Sequence, residues 1–276
     1  IFTATDAGWI NGHTYAFYGP LLLGAKTIIN ENPRLISLPR LLGKYLTELK
    51  PTCFYTSVTI LRFLKNIIKN NQSIEDFSDK GIYLDRIGSC GEPLAHEIGK
   101  WAIDFFKPKR ETIVNTYFQT ETGGVLCSPR DEDGLPPDYS SVGKPISSLG
   151  INLAKDVLEE CELIKEEIDP NELLVCNYWD GIFKEVISDR STKYFTKQGF
   201  FRLHDVGYFD EQGFLYIGGR SDDVINISGH RIATAEIENV CISVEGVSEV
   251  CAVAIPDKFS GSKVVLFYSS SVNDLK

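Results

Sequence analysis

The sequence predicts an α/β protein: a large domain with a mostly parallel βαβ sheet and a small β unit, then the start of a small α+β domain. Three observations support this fold class. β-rich runs alternate with helical patterns up to residue 128, short strands and turns dominate 129–221, and a helix followed by two strands lies within 222–276. We therefore expect a domain boundary at residues 221 and 222.

The first part of the chain alternates strand and helix patterns. Strands are predicted at Lys26–Asn30, Thr52–Tyr55, Ile82–Ile87 and Thr112–Val114. Helices, recognised by apolar residues at helical spacing, are predicted at Leu35–Leu49, Val58–Ile68 and Leu94–Phe106. Alternation of this kind favours parallel strands joined by crossover helices, and ligands of such sheets bind at the carboxyl ends of the strands.

The middle of the chain reads as a small antiparallel unit. Short strands are predicted at Val142–Ile146, Gly150–Ala154, Glu162–Ile164 and Glu172–Tyr178. A hairpin follows within 199–216, with its turn near Glu211–Gly213.

The last part of the chain predicts the start of a separate domain. Thr234 is expected to cap a helix over Ala235–Ser243, and strands are predicted at Val250–Ile255 and Lys263–Ser269. The charged link Ser221–Asp223 is the expected hinge.

Composition limits the classes of partner. The chain has 276 residues, with 28 basic and 38 acidic side chains and a net charge of −10. This balance argues against nucleic acid or an anionic membrane as partner, and we expect small-molecule substrates instead. The seven cysteines are scattered singly, which favours reduced thiols and a cytoplasmic location, although nucleus and mitochondrial matrix fit equally.

The run Asn115–Gly124 carries the strongest chemical signal. It follows a strand pattern and combines hydroxyls, a carboxylate and two glycines. Thr120 can donate to a phosphate oxygen, Glu121 can bind Mg²⁺, and the glycines allow close backbone approach. An ordinary turn after a strand is the alternative interpretation.

Two further motifs extend this signal. Gly91–Glu92–Pro93 follows another strand pattern, so it is expected at the same sheet edge. Asp205 ends a strand beside Gly207, where its two carboxylate oxygens could accept both hydroxyls of a ribose. The alternatives are a helix-starting turn with Pro93 near its first position, and a turn-forming aspartate.

Together these blocks resemble a known family. Asp6–Pro20 (DAGWINGHTYAFYGP), Gly88–Pro93 (GSCGEP), Thr116–Gly124 (TYFQTETGG), Asp205–Gly207 and Gly219–Arg231 (GRSDDVINISGHR) occur in the order and spacing of AMP-forming acyl-CoA synthetases. Within that family the chain is most similar to the acetyl-CoA synthetase branch, and the resemblance runs along its whole length.

The resemblance implies a two-step ligation with ATP, Mg²⁺ and coenzyme A. A short carboxylate such as acetate or propionate attacks the α-phosphorus of ATP, giving an acyl-adenylate and pyrophosphate. The thiol of coenzyme A then displaces AMP, and the small domain rotates between the two steps. Thr120, Glu121 and Arg231 are the implied catalytic residues.

The resemblance also assigns binding roles to individual residues. Nucleotide contacts are implied for Gly91, Glu92, Pro93, Tyr117, Gln119, Thr120, Asp205, Arg220 and Arg231. Ser228 and Gly229 are implied to approach coenzyme A, Asp222 is the implied hinge, and Glu121 the implied metal ligand. The implied acyl pocket consists of Ile10, Asn11, Cys90 and Phe118.

The chain departs from the family pattern at three places. Phe118 stands where the acetate branch has a larger tryptophan, and Asn11 is unusual in the acyl pocket and could favour a polar substituent. His204 replaces a glycine before the candidate ribose-binding aspartate. The family's phosphate loop and its catalytic lysine are expected outside residues 1–276.

Two other functions remain open at this stage. The chain could belong to another adenylate-forming ligase with a different acid, or to an adenylate-binding protein without turnover. A panel of carboxylates separates the first from a short-chain synthetase, and an intact mass well above 30.9 kDa would weaken the second. The preferred acid, the oligomeric state and any regulation through lysine are not indicated by the sequence.

Overall fold

The computed structural model describes residues 1–32, 34–35, 38–70, 82–183, 194–227, 230–244, 246–257 and 261–270. The chain divides into two compact units, residues 1–143 and 144–276.

A four-stranded parallel sheet is the centre of the first unit. Its strands are β1 (Phe2–Thr3), β2 (Cys53–Ser57), β3 (Arg86–Cys90) and β4 (Ile113–Asn115), adjacent in that order. The parallel pairing confirms the predicted sheet. The expected strand Lys26–Asn30 is reduced to one bridge, between Ile28 and Phe2.

Helices connect these strands and cover the sheet. They are α1 (Ile10–His13), a π-helical turn (Thr14–Tyr18), α2 (Gly19–Leu22), α3 (Pro39–Glu48), α4 (Val58–Asn70) and α5 (His96–Phe106). The apolar positions of the amphipathic helices are buried, as their spacing predicts: Leu61 and Leu64 on α4, and Ile98 and Ala102 on α5. A two-residue strand, β5 (Cys127–Ser128), follows later in this unit.

The second unit is built on an antiparallel sheet. Its first elements are β6 (Lys144–Pro145), β7 (Ile151–Leu153), α6 (Ala154–Val157), α7 (Glu160–Glu166), β8 (Glu172–Val175), β9 (Phe201–Phe209) and β10 (Leu215–Arg220). The sheet has the order β10-β9-β8-β7, and β9 and β10 form the predicted hairpin.

One predicted strand is wrong. Residues Glu162–Ile164 lie inside helix α7. The reason is a reciprocal capping arrangement, in which the Glu159 backbone N–H donates to Glu162 Oε2 at 2.9 Å. Local capping therefore outweighs the β-like apolar pair at Leu163 and Ile164.

The remaining elements follow β10. They are β11 (Val224–Ile227), β12 (His230–Ala233), α8 (Thr234–Ile242), β13 (Val247–Asp257) and β14 (Gly261–Ser270). β11 pairs with β12 and β13 with β14, and α8 contacts both β10 and β13. Thr234, the expected cap, is the first helical residue instead, and Ala233 occupies the cap position without a side-chain hydrogen bond. In the described part of the chain, none of the helices combines the length and apolar character needed to cross a bilayer.

Candidate active site

Two of the sequence motifs leave the parallel sheet side by side. Gly91–Pro93 follows β3, and Thr116–Gly124 follows β4, the adjacent strand. Parallel strands end at the same edge, so the two motifs share the carboxyl edge of the sheet, where ligands of such folds bind.

The loop after β4 is shaped around a tight turn. Thr120–Thr122 form one turn of 3-10 helix, in which the Gln119 backbone N–H donates to Thr122 Oγ1 at 3.0 Å. Gly123 ends the turn with φ 68°, a conformation that favours glycine. The turn therefore fixes the direction of the two side chains between its ends.

Those two side chains are Thr120, which is exposed, and Glu121, which is half-buried. Among the described residues, neither side chain takes part in a hydrogen bond or an ion pair. A hydroxyl and a carboxylate held without protein partners can serve a ligand. This donor set fits Mg²⁺, which commonly binds one or two carboxylates together with substrate phosphates and water.

The loop after β3 is held by helix α4. The Glu92 carboxylate accepts hydrogen bonds from Thr59 and from the Arg62 guanidinium. Gly91 has φ 94° and open space where a side chain would stand. The loop thus combines a fixed carboxylate with a backbone that a flat ligand could approach closely.

Tyr117 and Gln119 belong to the second motif and precede its 3-10 turn. Tyr117 is 8% exposed, and its backbone pairs with Leu126 and Cys127. Gln119 is half-buried at the start of the 3-10 turn. Tyr117 therefore offers a ligand only a small part of its ring.

The candidate acyl pocket lies on one face of the parallel sheet. In the parallel register Tyr55 stands beside Gly88 and Ser57 beside Cys90, so the side chains of Tyr55 and Cys90 point to the same face. A Cβ on Gly88 would lie 2.3 Å from the Tyr55 ring, which shows that this ring fills the space above Gly88.

Aromatic and amide side chains complete that face. Asn11, on α1, donates from Nδ2 to Cys90 Sγ at 2.7 Å. Tyr15 contacts both Tyr55 and Phe118, with ring centroids 5.1 and 5.7 Å apart. The structure therefore brings together three of the four predicted pocket residues, Asn11, Cys90 and Phe118, and adds two tyrosines. Ile10 is half-buried beside Asn11 in the chain.

Burial keeps the polar groups of this face protonated. It raises the pKa of Tyr15 to about 12, with the neighbouring Cys90 as a second cause. It also raises the pKa of the Tyr55 hydroxyl and of the Cys90 thiol. At neutral pH the pocket is consequently lined by neutral hydroxyl and thiol groups.

The second unit carries the candidate ribose site. Asp205 is 8% exposed on β9 and lies opposite Arg220 on β10. The distance from Arg220 Nη1 to Asp205 Oδ1 is 3.5 Å, and the same nitrogen donates to the Leu203 carbonyl at 3.3 Å. Arg220 Nε also donates to Asp222 Oδ1 at 3.3 Å, so Arg220 joins the ribose candidate to the predicted hinge.

His204 occupies a left-handed backbone position. Its φ is 54°, within a bulge where three residues of β9, 203–205, lie opposite the single residue 173 of β8. Its carbonyl accepts from the Ser221 backbone N–H at 2.8 Å. Glycine adopts such a conformation without steric cost, so the glycine expected here from the family resemblance would suit this backbone.

The backbone at His204 leads to a first prediction. His204→Gly and His204→Ala remove the same imidazole but differ in the Cβ atom. We expect the glycine variant to be more stable by about 1 kcal/mol, because alanine keeps the steric cost of a positive φ. Urea unfolding of the two variants measures the difference, and an alanine variant of equal or greater stability would contradict the assigned strain.

The imidazole itself leads to a second prediction. Burial lowers the pKa of His204, while Glu172 opposes the shift, and Arg202 and Arg220 add to it. The unfolded chain therefore binds a proton more readily than the folded one, so stability falls as pH drops from about 7.5 to 5.5. His204→Asn, which also tolerates positive φ, should lose less stability over this range than the wild type. Unfolding midpoints at both pH values check this, and equal losses would rule it out.

Of the remaining predicted residues, only the backbone of Arg231 is described. Ser228 and Gly229 lie outside the described residues. Arg231 belongs to β12, where its backbone pairs with Asn226 of β11.

Sequence reasoning missed several residues that shape the site. Arg62 and Thr59 hold Glu92, and their spacing of three on a helix was the available signal. Tyr55 lies on β2 and Thr116 directly follows β4; a 2.6 Å hydrogen bond joins their hydroxyls, and no local pattern connects them.

Similarity to solved structures defines the class of fold. The chain superposes on an anthranilate CoA ligase, solved with anthranoyl-AMP, with a TM-score of 0.77 and 18% sequence identity, over 100% of this chain and 50% of that one. A benzoate CoA ligase from Burkholderia xenovorans gives a TM-score of 0.76 and 19% identity, over 100% of this chain and 51% of that one. The chain therefore has the fold of these two CoA ligases.

Sequence comparison identifies the family. A model of the AMP-binding enzyme family matches residues 1–168, so the chain belongs to that family. The acetyl-coenzyme A synthetase of Shewanella pealeana is 33% identical over 95% of this chain and 40% of its own length. Acetyl-coenzyme A synthetase 2 of Candida albicans is 34% identical over 97% of this chain and 39% of its own length. The chain thus spans about two fifths of the curated relatives that it matches.

Proposed function

We propose that this chain forms the acyl- and nucleotide-binding part of an AMP-forming acyl-CoA synthetase for a short acid, acetate or propionate. The proposal depends chiefly on Thr120 and Glu121, two side chains at the carboxyl edge of the parallel sheet that have no partner within the described part of the chain. It is supported by the likeness to acetyl-coenzyme A synthetases along most of the chain.

The proposed reaction starts with attack of the acid's carboxylate on the α-phosphorus of ATP. Displacement at phosphorus depends on positioning and charge stabilisation rather than covalent help. Thr120 would donate to the α-phosphate and Glu121 would hold Mg²⁺, which neutralises phosphate charge when bound. We assign Arg231 to a phosphate as well.

The adenine and the ribose of the nucleotide have separate proposed contacts. We assign the adenine to Gly91–Pro93 and Tyr117, with Gln119 beside it, and the ribose to Asp205 and Arg220. Glu92 is suited to its role because Arg62 and Thr59 fix its carboxylate.

Coenzyme A would enter in the second half-reaction, in which its thiol displaces AMP from the acyl-adenylate. Ser228 and Gly229 are the proposed contacts. We place the domain boundary at 221 and 222 and the hinge at Asp222, whose side chain is 73% exposed and pairs with Arg220. An exposed link at the end of a strand can change its backbone angles without unfolding either side.

The proposed compartment is the cytoplasm. All seven cysteines are free thiols, which suits a reducing environment.

Acid-dependent ATP–pyrophosphate exchange tests the function. It is measured on the protein as isolated, with acetate, propionate, butyrate, benzoate and no acid. We expect exchange with acetate or propionate, and a loss of about 100-fold in Glu121→Gln, which removes a ligand charge from the metal site. Exchange with benzoate alone would establish a different acid class. AMP binding without any exchange would favour an adenylate-binding protein.

Phe118 leads to a prediction on chain length. Its half-buried ring closes one side of the candidate pocket against Tyr15. Phe118→Gly should therefore raise kcat/KM for butyrate by about tenfold, since each buried methylene contributes about 0.8 kcal/mol. Phe118→Leu keeps most of the bulk and is the matched control. No gain on butyrate or longer acids in the glycine variant would remove Phe118 from the pocket.

A further inference from the structure

The candidate acyl pocket contains a buried oxygen without a hydrogen-bond donor. Asn11 is 8% exposed, and its Oδ1 atom has no partner among the described residues. A buried amide oxygen that loses its water and gains no donor is destabilising. Such an atom in a native structure calls for a ligand, a water or a functional reason.

The hydrogen bonds of the neighbouring Cys90 thiol determine the orientation of the Asn11 amide. Cys90 Sγ donates its proton to the Thr56 carbonyl at 3.4 Å, so the sulfur can only accept from Asn11. The Asn11 NH₂ group must then face the sulfur. A flipped amide would set two acceptors against each other, which excludes Oδ1 from that position.

Three donors on this face, the Thr116 and Tyr55 hydroxyls and the Cys90 thiol, already have acceptors. Thr116 Oγ1 donates to the Ser89 carbonyl at 2.9 Å. Tyr55 can then only donate to Thr116 Oγ1, at 2.6 Å. The Cys90 thiol donates to the Thr56 carbonyl. Thr116, Tyr55 and Cys90 therefore have no proton left to donate to Asn11 Oδ1.

We propose that the acyl pocket selects a short hydroxy acid, whose hydroxyl donates to Asn11 Oδ1. The inference deepens the proposed function and rests on it. Among short acids of this length, it favours those that carry one hydroxyl. Aliphatic acids would leave the oxygen unpaired, and sites built for a hydroxyl discriminate strongly against analogues that lack it.

The chemistry of the surroundings favours a hydroxyl over an ammonium group. Asn11 is accompanied by two tyrosines, a thiol and a phenylalanine, all neutral at pH 7. A buried ammonium would need a counter-ion there, whereas a hydroxyl needs only an acceptor. Because Oδ1 has no water-accessible surface, the ligand must displace a half-buried ring such as Phe118, and rotamer changes of this kind are common on binding.

The test compares isosteric acyl groups on a stable adenylate analogue. Calorimetry measures the affinity of glycolyl-, propionyl-, 3-hydroxypropionyl- and butyryl-sulfamoyl adenosine, in which a hydroxyl replaces a methyl group at equal size. We expect at least one hydroxylated analogue to bind about tenfold or more tightly than its methyl counterpart. Asn11→Leu should abolish that preference while retaining AMP binding.

Thr56→Val is the matched control. Thr56 Oγ1 is also buried and has no partner in the described ranges. Thr56 alternates with Tyr55 along β2, so its side chain points to the opposite face. This variant should keep the preference for the hydroxylated analogue. Equal affinities within both pairs for the wild type, or a preference that persists in Asn11→Leu, would overturn the hydroxy-acid inference and leave the proposed function standing. Failure of AMP and of all four analogues to bind the wild type would overturn the proposed function itself.

Discussion

Arg202→Met is expected to destabilise the protein by about 3–5 kcal/mol, because it leaves a buried carboxylate without its partner. Arg202 donates from Nε and Nη2 to the two oxygens of Glu172, at 2.8 and 2.9 Å. The two side chains are 8% and 1% exposed. Without Arg202, Glu172 would carry its charge in a site that water cannot reach.

The paired double variant separates the lost charge from lost packing. Glu172→Leu with Arg202→Met replaces the ion pair by apolar groups, an exchange that is often neutral or stabilising at buried sites. We therefore expect the double variant to recover most of the stability lost by Arg202→Met. Urea unfolding of the single and double variants measures both values.

An exposed pair supplies the control. Lys44 and Glu48 on α3 lie 3.9 Å apart with both side chains more than half exposed. Lys44→Met should change the unfolding midpoint very little, because solvent screens such pairs. A loss from Arg202→Met as small as that from Lys44→Met would show that the buried pair is not needed for folding.

The backbone patterns of the first unit were predictable because they are local. Helix α4 was expected at Val58–Ile68 and is observed at Val58–Asn70, since its apolar residues repeat at helical spacing. Strand β3 was expected at Ile82–Ile87 but lies at Arg86–Cys90. The motif GSC, taken as the turn after the strand, is itself part of the strand. Residues 88–90 are small enough for the Tyr55 ring to pack over Gly88, which is a tertiary effect.

Only part of the candidate site could be predicted from local sequence patterns. Gly91–Pro93 and Thr120–Gly124 could be found because turn-forming residues and chemical groups coincide in short segments. The Arg202–Glu172 pair, the bulge at His204 and the Asn11–Cys90 contact each join residues brought together by strand register or helix packing. The substitution of glycine by His204 was visible in the sequence, but the positive φ that makes it costly was not.

Asp205→Asn is expected to weaken AMP binding by about 10- to 100-fold, since hydrogen bonds to a charged group contribute about 1.5–3 kcal/mol. Asp205 is largely buried at the end of the bulged segment of β9, and Arg220 lies across the hairpin with Nη1 3.5 Å from its Oδ1. An ionised carboxylate in this position can accept from both ribose hydroxyls, whereas an amide retains one acceptor oxygen.

Deoxynucleotides show whether Asp205 contacts the ribose hydroxyls directly. Calorimetry compares AMP, 2′-deoxy-AMP and 3′-deoxy-AMP on the wild type and on Asp205→Asn. If Asp205 receives the ribose hydroxyls, each deoxy change should cost the wild type more affinity than it costs the variant. Equal costs in both proteins would mean that Asp205 acts on the nucleotide only indirectly.

A control of equal charge completes the experiment. Asp104→Asn removes one negative charge at an exposed position of α5. It should leave AMP affinity unchanged, because an exposed charge is screened by solvent and salt. A similar loss in Asp104→Asn would attribute the effect to net charge. If only Asp205→Asn loses affinity, and loses less for the deoxynucleotides than for AMP, then Asp205 recognises the ribose directly. A change in charge or stability would lower the affinity for all three nucleotides alike.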